Sequence, residues 1–330
     1  MCTGLTLITK DGKHLFGRNM DIEFEFGQSV GVIPRNFEYE NRMINTKEHT
    51  KYGIIGMMTI MENHPMLADG MNEEGLGIAG LNFPGYAYYE PEIDENKENV
   101  SVYDFMFWIL ANFKDLYEVR EALNNVNIMD KPFNEKTPIP TLHWIITDKS
   151  GKSIVVEKSK QAGLKVFENN LGVLTNSPTF DWHETNLRQY IGLYANQAGE
   201  TKWSEQSLPA LGQGAGCVGL PGDFTPASRF VRVAFLRHNA LANDSESMDI
   251  NEFFHILNNV AMVRGTVRTP QQLSDITVYT SCMNLEDKIY FYNTYKNNSL
   301  NAVDMKKVDL NGKEIVLFPY ENELKVNYQN

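Results

Sequence analysis

Short runs that alternate apolar and polar positions fill the first half of the chain, and each ends in turn-forming residues. Residues 3–9 alternate Leu5 and Leu7 with Gly4, Thr6 and Ile8; Lys10-Asp11-Gly12-Lys13 then predicts a turn, and 14–19 a returning strand. The same pattern predicts strands at 53–60, 76–82, 142–147, 153–157, 164–167 and 172–176. Apolar spacing changes to three and four over 101–112, 116–124, 185–194, 226–239 and 251–263, which predicts helices. Strand-like runs return at 277–282 and 288–294, while the polar, glycine-rich 195–219 predicts a long loop. No repeat or linker tract interrupts the series. Hairpin-connected strands broken by groups of helices imply an α+β protein, antiparallel sheet covered by helices in a single domain.

Composition refines this picture without fixing the domain count, since 330 residues suit one large layered enzyme or two average domains. A hydrophobic share of 42%, with 18 Phe, 15 Tyr and 14 Met, supports a large buried core. The formal charge of -12 and the absence of a dense Lys/Arg run argue against a nucleic-acid partner. Neither a signal peptide nor a membrane span is indicated, so a cytoplasmic protein is expected. Cys2, Cys217 and Cys282 are widely spaced and the seven histidines scattered, which predicts neither a disulfide framework nor a metal site.

Cys2 directly follows the initiator Met1. It is small enough for Met1 to be trimmed, leaving a thiol and a primary amine on one residue. With reference pKa values of about 8.5 and about 7.7–8.0, the amine can take the thiol proton and later return it to a departing amine. Cys2 is otherwise only the second residue of a first strand. If Asp11-Gly12 forms a two-residue turn, Asp21 falls opposite Cys2 and Met20 opposite Thr3, while Arg18 lands on the other face with Leu5 and Phe16. A bulge or a one-residue slip is needed to bring Arg18 to the thiol.

Other candidates follow from position. Asn82 and Asn176 each end a predicted strand two residues before a proline, at a sheet edge, where a side-chain N–H can meet an oxyanion; an Asx-type turn is the plainer reading. Arg229 follows Thr225-Pro226, an N-cap and N1 pair, so its cation opposes a helix dipole and calls for a carboxylate, with Asp21 the candidate. Met57, Met58, Met61, Met66 and Met71 read chiefly as core, with the adaptability to wall an apolar ligand site. Gly75-Leu76-Gly77-Ile78-Ala79-Gly80 matches a dinucleotide fingerprint, but no helix is predicted after it, so it reads as strand and not as an NAD site.

Met1-Cys2-Thr3-Gly4 followed by Phe16-Gly17-Arg18-Asn19-Met20-Asp21 resembles the opening of the choloylglycine hydrolase family, which contains bile salt hydrolases and penicillin V acylases. The likeness continues in order from Asp69 to Pro84, at Leu142-His143-Trp144, from Gly172 to Pro178, from Gly219 to Phe230, at Tyr279-Thr280-Ser281-Cys282 and from Tyr290 to Tyr295. This resemblance implies a four-layer αββα sandwich of the N-terminal-nucleophile type, two stacked antiparallel sheets flanked by helices, in one domain over 2–330 with Met1 removed. It implies Cys2 as nucleophile, Arg18 and Asp21 as its partners, Asn82 and Asn176 around the scissile amide, and Arg229 as a supporting cation. Met20, Ile60, Met61, Ala68, Ile139 and Leu142 are the implied contacts for a steroid nucleus. The implied activity is cleavage of glycine- or taurine-conjugated bile salts through a thioester, without cofactor or metal, by a homotetramer. Asn82-Phe83-Pro84-Gly85 favours this over a penicillin V acylase, and a catalytically silent binding homologue is the remaining alternative.

Overall fold

The computed structural model describes residues 1–242 and 245–330. Its centre is two large antiparallel sheets packed face to face. The first has six strands, ordered Val173–Leu174, Cys2–Ile8, His14–Ile22, Ile276–Asn284, Ile289–Thr294 and Asn301–Asp304. The second has eight, ordered Gly163–Glu168, Ser153–Ser159, Leu142–Thr147, Gly77–Asn82, His64–Asn72, Ile54–Met61, Ser29–Ile33 and Val316–Phe318.

Helices cover both outer faces. Helix α1 (Phe105–Asn112) is apolar on nearly every side and packs under the eight-stranded sheet, with α2 (Leu116–Leu123) in the same apolar cluster. The shorter α3 (Phe180–Leu187) leads to α4 (Pro226–Asn239) and α5 (Glu246–Asn258), which cover the six-stranded sheet. The layer order is therefore helix, sheet, sheet, helix, the expected αββα arrangement. Helix α4 begins as its sequence dictates: Thr225 is the N-cap, its hydroxyl accepting from Ser228 N–H at 3.4 Å, and Pro226 opens the first turn.

Predicted and observed elements agree where periodicity is clean, as at Leu142–Thr147 and Pro226–Asn239. Three helix expectations shift. The helix read at 101–112 starts at Phe105, after a strand at Glu98–Ser101. The helix read at 251–263 starts at Glu246, and the one read at 185–194 starts at Phe180 and ends in a 3-10 turn, Arg188–Tyr190. The expected loop at 195–219 contains a small hairpin, Thr201–Trp203 with Gln206–Leu208. His64–Asn72 gave no strand signal because Pro65, Asp69 and Gly70 interrupt it, yet it lies in the middle of the eight-stranded sheet. The glycine run was read correctly: Gly75 is a turn residue at φ +85, Gly77–Asn82 is strand, and a Cβ on Gly77 would meet Phe16 Cδ1 at 2.8 Å.

The opening hairpin corrects the predicted register. Cys2–Ile8 (β1) and His14–Ile22 (β2) pair Cys2 with Met20, Thr3 with Asn19 and Gly4 with Arg18. Asp21 thus lies opposite Met1, not Cys2, and its N–H donates to the Met1 carbonyl at 3.0 Å. The cause is a three-residue loop, Lys10-Asp11-Gly12, in place of a two-residue turn. Thr9 N–H donates to Lys13 O at 2.9 Å, Lys13 N–H to Thr9 Oγ1 at 2.9 Å, and Gly12 takes φ +84. One residue of shift exchanges the faces. Arg18 and Met20 consequently share the inner face with Cys2, while Thr3, Asn19 and Asp21 face the helices.

Candidate active site

Cys2 is 4% exposed, and its backbone N–H donates to Asn176 Oδ1 at 2.9 Å. Asn176 follows the edge strand Val173–Leu174 and joins several segments at once. Its Oδ1 also accepts from Arg229 Nη2 at 2.6 Å, and its Nδ2 donates to the Asn82 carbonyl at 2.7 Å. Asn82 ends a central strand, not an edge strand; its side chain is exposed, and its Oδ1 accepts from Thr141 Oγ1 at 2.6 Å. The two asparagines do converge, from opposite sheets.

Arg229 stands in the first turn of α4 with no exposed surface. Its Nη1 donates to Cys2 O at 2.5 Å and Thr3 Oγ1 at 2.6 Å, and its Nε to Phe224 O at 2.9 Å. Burial pulls its pKa down, opposed first by Asp21 and then by Cys2 and Asp275. Asp21 accepts from Thr277 Oγ1 at 2.6 Å; burial raises its carboxyl pKa, countered by Arg229, the amino terminus and the Thr277 bond. The expected pairing of Arg229 with Asp21 is therefore electrostatic, while the direct bonds of Arg229 go to oxygens around Cys2.

Arg18, also without exposed surface, spans the two sheets from the inner face. Its Nη1 donates to Gly80 O at 2.5 Å and Ala68 O at 3.1 Å, its Nε to Asn19 O at 3.3 Å, and its Nη2 to Met20 Sδ at 3.4 Å. The Ala68 carbonyl is available because the pairing of His64–Asn72 with Ile54–Met61 breaks there: Met57 faces Asp69 but Met58 faces Leu67. Burial works against the charge of Arg18, and Cys2, Tyr279, Asp69 and Asp21 outweigh it, holding the guanidinium above its ordinary pKa.

An apolar cavity of about 330 Å³ opens at Met20, the residue paired with Cys2. Met20, Met61, Ala68 and Leu142 line it as expected. Ile60 and Ile139 do not; both pack instead against the core beneath the eight-stranded sheet. Alternation along Ile54–Met61 explains Ile60, because Thr59 and Met61 are the residues that reach the cavity. Of the five clustered methionines, Met57, Met58 and Met71 are core and Met61 and Met66 are wall. Phe24, Phe26, Tyr103 and Met106 are also among the residues of the wall and carried no sequence signal beyond being apolar.

Two histidines that the sequence did not single out brace Asn176. His143 Nε2 lies 3.0 Å from Thr175 O while its Nδ1 lies 3.1 Å from Glu157, and His183 Nε2 lies 2.8 Å from Asn176 O. Burial lowers the His183 pKa to about 4. The signal is burial of a ring against a backbone carbonyl, and burial is not visible in one sequence.

Among the described residues no group of three or more His, Cys, Asp or Glu is placed to hold a metal ion, and no helix is long and apolar enough to cross a membrane. The chain belongs to the linear amide C–N hydrolases of the choloylglycine hydrolase family, which its residues 2–318 match. It is 60% identical over 330 residues, all of both chains, to a bile salt hydrolase/transferase of Clostridium perfringens. It is 39% identical over 318 residues, 96% of this chain and all of the other, to a conjugated bile acid hydrolase of Lactobacillus gasseri. Crystal structures of the R18L and C2A variants of conjugated bile acid hydrolase from Clostridium perfringens, both 60% identical, superpose over the full length of both chains with TM-scores of 0.95 and 0.96. A penicillin V acylase of Pectobacterium atrosepticum is more distant, 25% identical over 255 residues, covering 73% of this chain and 62% of that one.

Proposed function

We propose that this protein hydrolyses the amide bond joining a bile acid to glycine or taurine, with Cys2 as nucleophile once Met1 has been removed. The observation that carries this reading is the convergence on Asn176, which meets Cys2 N, Arg229 and the Asn82 carbonyl beside an apolar cavity that starts at Met20. The Cys2 α-amine, freed by loss of Met1, accepts the thiol proton, and the sulfur attacks the amide carbon. Asn176 Nδ2 and Asn82 stabilise the resulting oxyanion. The C–N bond breaks as the α-ammonium protonates the departing nitrogen, leaving a thioester. Water, giving a proton to the amine, then adds to the thioester carbon; the C–S bond breaks and the bile acid leaves. Arg18 favours the thiolate from the inner face, while Arg229 and Asp21 fix the Cys2 backbone from the outer one.

A cavity of about 330 Å³ walled by Met, Phe and Leu suits a rigid apolar body, so recognition rests mainly on the steroid and less on the amino acid. The same chemistry on penicillin V is the alternative, disfavoured by the lower identity to that acylase. Side-by-side kcat/KM on glycocholate, taurocholate and penicillin V separates the two; a preference for penicillin V overturns the substrate reading. Intact mass retaining Met1, or full activity in Cys2→Ala, overturns the mechanism. The reading extends to one domain from Cys2 onward, assembled as a cytoplasmic homotetramer, which light scattering and cell fractionation test.

A further inference from the structure

Asp69 is a carboxylate with no exposed surface in the middle of the eight-stranded sheet, and the reaction above makes no use of it. Tyr279 donates to its Oδ2 at 2.6 Å and Tyr290 to its Oδ1 at 2.6 Å; neither tyrosine has any exposed surface. The preceding residue is Ala68, which supplies a carbonyl to Arg18. Across the sheet interface, the Arg18 backbone N–H donates to Ser281 Oγ at 3.2 Å, and Tyr279 lies opposite Met20. A polar file thus runs inward from the thiol: Cys2, Arg18, then Asp69 with its two tyrosines.

We propose that Asp69, clamped by Tyr279 and Tyr290, is a positioning residue for the hydrolysis: it balances the buried charge of Arg18 and so sets how strongly that guanidinium favours the Cys2 thiolate. The inference rests on Cys2 being the nucleophile. An Arg18 with no counter-charge would stabilise the thiolate until it became a weaker nucleophile, since nucleophilicity falls as thiol acidity rises. Burial raises the Asp69 pKa, and Arg18, Tyr279, Tyr290 and Ser281 oppose that rise, which are the groups that would keep it ionised. The other charged groups around the thiol are Asp21, Asp275, Arg229 and the amino terminus, and Asp69 adds to them from the inner side.

The test is the pH dependence of iodoacetamide alkylation at Cys2, read by mass spectrometry of the N-terminal peptide in protein lacking Met1. In Asp69→Asn the midpoint moves to lower pH by on the order of one unit, and the acid limb of kcat/KM for glycocholate moves with it. Asp69→Glu restores the original midpoint. In an Arg18→Leu background, Asp69→Asn gives a much smaller shift. If Asp69→Asn does not fold, Asp69→Ser removes the same charge and leaves room for water beneath the tyrosines. An unmoved midpoint in either folded neutral variant, or an equal shift with and without Arg18, overturns the proposal. Alkylation of Cys2 that leaves glycocholate hydrolysis intact overturns the nucleophile assignment instead.

Discussion

Arg18 and Arg229 are both fully buried, yet they approach Cys2 from opposite faces of one hairpin and are held in different ways. Arg229 binds Cys2 O, Thr3 Oγ1, Asn176 Oδ1 and Phe224 O, tying together β1, the Asn176 segment and the start of α4, with Asp21 as the opposite charge that acts on it most strongly. Arg18 is surrounded by three carbonyls and a thioether, and the groups that favour its charge are Cys2, Tyr279, Asp69 and, last, Asp21. Burial alone therefore does not assign a role to a charge. A cation bonded directly to the Cys2 strand holds that strand in place, whereas one bonded to carbonyls of the opposite sheet acts on the thiol chiefly through its field. The R18L variant of the Clostridium perfringens hydrolase keeps the same fold.

The largest expected effect breaks this comparison if it fails. Arg229→Leu leaves Asp21 without its principal counter-charge and cuts the ties to Cys2, so urea unfolding should show a loss of about 3–5 kcal/mol together with loss of hydrolysis. Arg18→Leu should lower kcat/KM by about 10²–10³ with a smaller fall in the urea midpoint, because Tyr279 and Tyr290 still bond Asp69 and the carboxylate left without a counter-charge can take up a proton; an equal loss of stability in both variants removes the distinction. Next, the two asparagines should separate by burial. Asn176→Ala, which deletes a proposed oxyanion donor, should cost about 10²–10³ in kcat. Asn82→Ala, at an exposed side chain, should cost about tenfold, as for one modest hydrogen bond.

A smaller effect concerns the brace behind Asn176. Folded His183 has a pKa lowered from 6.5 to about 4, so below 6.5 the unfolded chain binds more protons than the folded one. Its stabilising contribution is complete above pH 6.5 and is lost as pH falls towards 4, by up to about 3 kcal/mol. Urea midpoints across that range should decline less in His183→Phe, which keeps a ring stacked near Phe230. Smallest is Ala68→Leu, which fills part of the cavity and should raise KM for glycocholate by about tenfold with kcat nearly unchanged.

Much of this site was legible before folding was considered. The address of Cys2, the capping of α4 ahead of Arg229 and the turn at Lys10–Lys13 follow from local chemistry, because each depends on residues within a few positions. The cavity wall was legible only in part. Met20, Met61, Ala68 and Leu142 reach it while Ile60 and Ile139 do not, since wall membership depends on which way a side chain points when the sheets stack. His143, His183 and Asp69 were not singled out because their importance lies in partners 7 to 221 positions away in the chain, brought together only by burial.

The sequence by itself determined that Cys2 opens a hairpin whose second strand carries Arg18 and Asp21, and its family blocks determined the layered fold. It did not determine which face Arg18 would occupy. That rested on whether the turn holds two residues or three, a choice made by Thr9 closing onto Lys13 and by Gly12 in the left-handed region. One residue of register then put Arg18 between the sheets with Cys2 and left Asp21 outside with Arg229. Strand faces alternate with a period of two, so the smallest local difference becomes a complete exchange once the sheets stack.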